Sequence, residues 1–266
     1  MFYVIQENVF REEHYDMLID LIKRHKFEYD IVKYRPFLNE IVALPVENDG
    51  EQQEDVIYKT DRKNVFCFGA VSMAKAATKY GWNPGSMMNK NHDYEVYGKA
   101  FGFENMLNGE GHVINFIDKI PIDNFLFFAR PTRDTKVFSG QIFTQDSWKE
   151  YVAAVRHISD ETKILISPLK QIQQEVRCWV IGGKIVTASS YKIGTRVVYT
   201  NYDDETFFTD FAQKMIDVYQ PAEAFVIDIA LANDKLSVIE INNINSAGFY
   251  DCNMVKLITA LENHFN

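Results

Sequence analysis

The segment from residue 224 to residue 243, AFVIDIALANDKLSVIEINN, constrains the fold of this chain more than any other. Two apolar runs flank Asn233-Asp234, a pair that marks a turn because both residues tolerate a left-handed backbone. The expectation is two adjacent antiparallel strands. Side chains alternate across a strand, so Asp228 shares a face with Val226 and Ala230, and Glu240 shares one with Val238 and Asn242. Asp228 lies opposite Glu240 only if the turn is centred on Asp234, which needs an odd-length turn such as residues 233–235, or a bulge. In that register Asp228, Glu240 and Asn242 make one all-oxygen cluster, suited to a hard cation such as Mg²⁺. The competing reading is an ordinary hairpin with a solvated polar face. Against it, Asp is a poor strand former and here sits inside an apolar strand. The second strand also runs into the polar, loop-like NNINSAG from Asn242 to Gly248.

Cations precede this cluster in the same half of the chain. Arg130 ends an apolar run in FFARP and Lys136 precedes another, with Thr132-Arg133-Asp134-Thr135 between them. Glu175 and Arg177 are two apart on an expected strand and point the same way, with Cys178 and Val180 behind. Lys192 and Arg196 flank Gly194 in a basic loop. Each alone reads as a solvated charge or a surface ion pair. Together with the oxygen cluster they can clamp a polyphosphate from one side and Mg²⁺ from the other.

Net charge helps here. With 28 Lys and Arg against 37 Asp and Glu, the formal charge is −9. That excludes a broad duplex-binding surface, whose affinity for phosphates comes from Lys and Arg. It does not exclude a small anion held by a few local cations. Acidic loops at residues 47–55 and 203–205 account for part of the surplus.

The order of these motifs resembles the ATP-grasp superfamily: Arg130-Pro131, Lys136, Glu175-x-Arg177, Asp228-x-Ala230 and Glu240-x-Asn242. More narrowly, it is similar to a clade of small ATP-grasp enzymes with Arg in place of the first nucleotide-binding Lys, the role of Arg130. The motifs span about residues 120–251, and the segments FCFG from Phe66 and GW-x-PG from Gly81 look like that clade's N-terminal domain. The resemblance implies an α+β fold in which two subdomains clamp ATP, preceded by a small α/β domain. It implies Arg130 and Lys136 on phosphates, and a hinge at residues 166–170 with Ser167 and Leu169 beside adenine. Glu175 and Lys192 would lie near the nucleotide, Arg177 would face the triphosphate and the reacting carboxylate, and Arg130 and Arg177 would serve the chemistry. Asp228, Glu240 and Asn242 would hold Mg²⁺ or Mn²⁺. The implied activity is a carboxylate–amine ligase working through an acylphosphate, on small-molecule, peptide or protein substrates. The alternatives are a non-catalytic nucleotide-binding module and a kinase-like phosphotransferase. Its phosphate loop, residues 132–135, departs from the usual glycine-rich form.

The rest of the chain supports a two-part organisation. Strand–helix alternation fills the first third: a strand at residues 2–5, a helix at 13–26 with apolar Met17, Leu18, Leu21 and Ile22, strands at 41–44 and 65–68, and a helix at 72–80. Residues 81–111, rich in Gly, Asn and aromatics, read as an irregular connection or a substrate loop. There Trp82, Tyr94 and Phe101, with Phe249 in the 246–250 segment, are core aromatics or substrate contacts. The second half is strand-rich, at residues 125–129, 137–143, 163–166, 175–181, 184–189, 224–231 and 235–242, with helices at 147–156, 206–220 and 254–265. Gly182-Gly183 is a hairpin signal. The expected units are residues 1–119, 120–168 and 169–266. Cys67, Cys178 and Cys252, odd in number and unmotivated in spacing, read as core residues of a cytoplasmic protein. No run approaches a membrane span and none resembles a signal peptide.

Overall fold

The computed structural model describes residues 1–7, 12–44, 56–117, 126–133, 138–154 and 161–266. Its first sheet holds β1 (Phe2–Gln6), β2 (Glu28–Arg35), β3 (Glu40–Ala43), β4 (Asn64–Phe68) and β5 (Asn83–Gly85), in the order β3-β2-β1-β4-β5. All neighbours run parallel except the edge strand β3. Parallel strands buried on both faces need continuous apolar runs, which FYVIQ and NVFCF supply. Tyr3, Ile5, Phe66 and Phe68 pack with Leu18, Ile19 and Ile22 of α1 (Glu12–Arg24). Val4, Val65 and Cys67 pack on the other face with Ala76 and Ala77 of α2 (Ala74–Tyr80). Met17, expected on the buried stripe of α1, is 56% exposed, because the stripe centres on Leu18 and Ile22 and recruits Ile19 instead. Strand β2, EYDIVKYR, has no counterpart in the sequence reading: its interleaved charges obscure the alternation.

The region expected to be irregular contains α3 (Tyr94–Phe101), whose Tyr94, Tyr97 and Phe101 are buried. Trp82 and Phe249 are buried as well, so these aromatics are core residues. A second, antiparallel sheet joins β6 (Val113–Phe116), β7 (Leu126–Pro131), β8 (Gln141–Thr144) and β9 (Lys163–Ser167) in the order β6-β9-β7-β8. Helix α4 (Gln145–Ala154) covers it through Trp148, against Phe127 and Phe143. Strand β6 precedes residue 120 yet pairs with β9, so this sheet starts earlier in the chain than the expected boundary. The strand expected at 137–143 is confined, among described residues, to β8; Val137 lies outside them.

The third sheet carries β10 (Ile172–Ile181), β11 (Lys184–Ile193), β12 (Arg196–Asn201), β13 (Ala224–Ala232) and β14 (Lys235–Asn242), ordered β12-β11-β10-β13-β14 and antiparallel throughout. Gly182 and Gly183, both at positive φ, close the β10–β11 hairpin as the sequence predicts. One face packs Val176, Cys178, Phe225, Ile227 and Ile229 against α5 (Phe207–Val218). The other sets Trp179, Ile181 and Val226 against α1, α6 (Met254–Phe265) and the first sheet. Along that second face, beyond Trp179 and Val226, the apolar residues give way to Arg177 and Asp228. Asn245, just after β14, ties the first sheet to this edge. Its amide donates to the carbonyls of Cys67 and Gly85 at 2.6 and 3.0 Å and accepts from the Met87 N–H at 2.7 Å. The fold is α+β, and all three cysteines are buried and free. No described helix is long and apolar enough to cross a membrane.

Candidate active site

The β13–β14 hairpin brings the expected cluster together by the bulge, not by an odd-length turn. Asn233 and Asp234, at φ 50° and 60°, form a two-residue connection between the paired Ala232 and Lys235. Ile229 pairs with Val238, whereas Asp228 pairs with Glu240, so Ile239 is the extra residue. Without it, Asp228 would face Ile239 and the cluster would be dispersed to two faces. Asn242 completes the group: its amide donates to Glu240 Oε1 at 2.8 Å and to Asp228 Oδ2 at 3.3 Å.

Each carboxylate is matched by an arginine from another strand. Arg177, opposite Asp228 across the β10–β13 ladder, pairs with it bidentately through Nε and Nη2 at 2.8 and 2.7 Å. Both are almost fully enclosed, at 7% and 1% exposure. Arg130, at the end of β7 in the second sheet, reaches across with Nη1 to Glu240 Oε2 at 2.7 Å. Burial raises the Asp228 carboxyl above its ordinary value, against the pull of Arg177. Burial also pushes Glu240 upward, but Arg130, the Asn242 amide and Arg177 outweigh it and hold that carboxyl below the usual glutamate range. Asp228 and Arg177 sustain each other in the charged state, because either alone at this depth is costly.

Between the second and third sheets lies a cavity of about 1080 Å³. Its floor includes Leu107 and Ile239, and its far end is the connection from β9 to β10, with Pro168, Leu169 and Lys170. Among the described residues, Arg130, Arg133, Lys170 and Lys192 line it against Glu175 and Glu240, so the wall is net positive in a chain of charge −9. That is the local reversal an anionic ligand needs. Gly140 crosses the rim closely: a Cβ there would meet the Phe128 ring at 2.6 Å.

The sequence-predicted residues fall into three groups. Arg130, Leu169, Glu175, Lys192, Glu240 and Asn242 line the cavity. Glu175 and Lys192 pair with each other at 2.9 Å. Asp228 and Arg177 stand behind that wall in their own ion pair, and Ser167 is buried, donating to Asn108 Oδ1 at 3.0 Å. Lys136 lies outside the described residues. Sequence reasoning missed Asn108, Tyr191 and Tyr250. Asn108 sat in the stretch read as irregular, and Tyr191 adjoins the Lys192 loop as one aromatic among 14 tyrosines.

The donor set fits a hard dication. Glu240 and Asn242 offer oxygen at the cavity wall, Asp228 is within one amide of both, and no sulfur or imidazole competes among the described residues lining it. Among the described residues no cluster of three His, Cys, Asp or Glu forms, as expected where the third donor is an amide.

The family model for an ATP-grasp domain, the third family of its clade, matches residues 52–261. Comparison with curated proteins found no match. Solved structures of similar fold include D-alanine–D-alanine ligase from Bacillus anthracis, with TM-score 0.59 and 12% identity, covering 99% of this chain and 93% of that one. D-cycloserine synthetase DcsG gives 0.60 and 10%, covering 100% and 99%. The ATP-grasp ligase PsnB with a minimal precursor gives 0.54 and 12%, covering 93% and 91%.

Proposed function

We propose that this chain, which belongs to the ATP-grasp family whose model it matches, is an ATP- and Mg²⁺-dependent ligase that joins a carboxylate to an amine. Family membership and the ligases among its structural neighbours support that enzyme class. The observation that carries the reading is the pair of arginine–carboxylate bridges beside a net-positive cavity at the junction of two sheets.

In this reading the nucleotide lies in the cavity, its base near residues 168–170 and its phosphates toward Arg130, Arg133 and Lys192. Lys136 and Ser167 are proposed to serve the same nucleotide, Ser167 through Asn108. Glu240, Asn242 and Asp228 are the proposed Mg²⁺ ligands, with Mn²⁺ as the alternative ion. The ion supplies neutralisation of charge on the transferring phosphoryl group. A substrate carboxylate oxygen attacks the γ-phosphorus, the bond to the β–γ bridging oxygen breaks, and ADP leaves with an acylphosphate formed. An amine then attacks the acyl carbon, loses a proton, and expels orthophosphate. Arg130 and Arg177 stabilise the developing negative charge, and no side chain forms a covalent intermediate.

We assign residues before the second sheet to an N-terminal α/β unit and the second and third sheets to the two clamping units. The carboxylate substrate is a metabolite or a peptide; the named neighbours include a D-alanine ligase and an enzyme crystallised with a peptide precursor. A cytoplasmic setting agrees with three buried, unpaired thiols.

Calorimetric titration with Mg-ATP tests the reading. The expected result is one site per chain, lost in Glu240→Gln with the fold retained. Folded protein without binding would remove the nucleotide assignment; binding with no ADP formed across a substrate panel would point to a non-catalytic module.

A further inference from the structure

Tyr250 has no part in the chemistry above, yet its position is unusual. It lies in the segment after β14 with φ at +50°. A residue carrying a Cβ is strained there, and such strain persists where the surroundings enforce it. The surroundings are aromatic and cationic. The Arg177 guanidinium carbon lies 4.8 Å from the Tyr250 ring centroid. Tyr191 stacks on Tyr250 at 4.8 Å and 18°, and stands 5.7 Å from the same guanidinium. Tyr199, from β12, packs against Tyr250 at 5.1 Å.

Arg177 is therefore held from two directions. Nε and Nη2 are taken by Asp228, and Nη1 donates to the Gly248 carbonyl at a long 3.4 Å. The fork fixes the plane of the guanidinium, while a ring over its face blocks rotation out of that plane. Where water is excluded, a cation over an aromatic face is attracted more strongly than at an exposed site. A packing role alone would not require a left-handed tyrosine, since Asn or Gly suits that backbone.

We propose that Tyr250 is a positioning residue, held by Tyr191 and Tyr199, that fixes the Arg177 guanidinium toward the terminal phosphate of the bound nucleotide. This rests on the ATP reading of the cavity.

A structural role and a positioning role separate by nucleotide. Arg177 aimed at the terminal phosphate distinguishes a triphosphate from a diphosphate, whereas general loosening weakens both. The experiment measures Mg-AMPPNP and Mg-ADP affinity by calorimetry in wild type, Tyr250→Phe, Tyr250→Leu, Arg177→Lys and the Leu–Lys double variant. Tyr250→Asn, compatible with the left-handed backbone, replaces the Leu variant if that fails to fold. Tyr250→Leu is expected to weaken Mg-AMPPNP by roughly tenfold. Mg-ADP should change by less than about twofold, Phe should behave as wild type, and Leu should add nothing further in the Lys background. Equal losses for both nucleotides, additive losses in the double variant, or full Mg-AMPPNP affinity in Tyr250→Leu would overturn the proposal alone. Wild-type protein that binds neither nucleotide overturns the ATP reading and this proposal together.

Discussion

The Arg130–Glu240 bridge is the contact whose removal has the most informative consequence. Its atoms are 2.7 Å apart and its side chains only 17% and 27% exposed, so the pair is mostly withdrawn from water. The other Glu240 oxygen accepts from Asn242. Without ligands, Glu240 already has a cation, and a metal ion arriving alone must displace the guanidinium. A triphosphate changes this, because it offers Arg130 a second anion and releases Glu240 for the metal. Metal and nucleotide should therefore strengthen each other's binding. A charge-assisted hydrogen bond of this kind contributes about 1.5–3 kcal/mol, which corresponds to roughly 10- to 150-fold in an equilibrium constant. Arg130→Gln should thus tighten Mn²⁺ binding in the absence of nucleotide by roughly that factor. The same change should weaken Mg-AMPPNP, which loses a phosphate contact. Titration of free Mn²⁺ by electron paramagnetic resonance reads the first effect and calorimetry the second. An unchanged or weaker affinity for Mn²⁺ alone in the variant would refute the reasoning.

Asp228→Ala strands Arg177 in the interior and is expected to destabilise the protein by about 3–5 kcal/mol in urea unfolding; Glu240→Gln, nearer the cavity, should abolish turnover with far less loss of stability. Asn245→Ala removes three hydrogen bonds that tie the first sheet to the end of β14, an expected loss of about 2–4 kcal/mol by the same assay. Burial raises the Asp203 carboxyl, but Lys256, the Ala188 N–H and the Thr187 hydroxyl outweigh it and leave it below the ordinary aspartate value. Its stabilising contribution is therefore complete above that value and lost as pH falls through the lower folded one, so Asp203→Asn should flatten the acid limb of a stability–pH profile. Burial pushes the Cys67 thiol up to about 12 and raises Cys178 and Cys252 likewise, so none should react with iodoacetamide at about pH 8 until the chain unfolds.

Legibility in the sequence followed the physics of each element. Strands β1, β4, β13 and β14 were visible because burial on one or both faces demands apolar runs that few other structures need. Strand β2 was hidden by Asp30 and Lys33, and α3 by neighbouring Gly and Asn residues whose turns are real. Oxygen-bearing side chains two apart on a strand were enough to suggest the metal cluster. Their meeting with Asp228 depended on a bulge at Ile239, which sequence could offer only as one of two routes. Arginine partners drawn from other strands were beyond reach, because pairing across sheets is set by topology. So was the left-handed backbone of Tyr250, which nothing in SAGFYD announces.

Trapping of the acyl intermediate tests the ligase assignment most directly. Protein, Mg-ATP and hydroxylamine are incubated with a panel of amino acids, other small carboxylates and peptides, and ADP, AMP and hydroxamate are quantified together. Ligation through an acylphosphate predicts hydroxamate and ADP in equal amounts for the true carboxylate, with neither formed by Glu240→Gln. AMP and pyrophosphate, a stable phosphorylated product without hydroxamate, or ATP bound and never cleaved across the panel would contradict it.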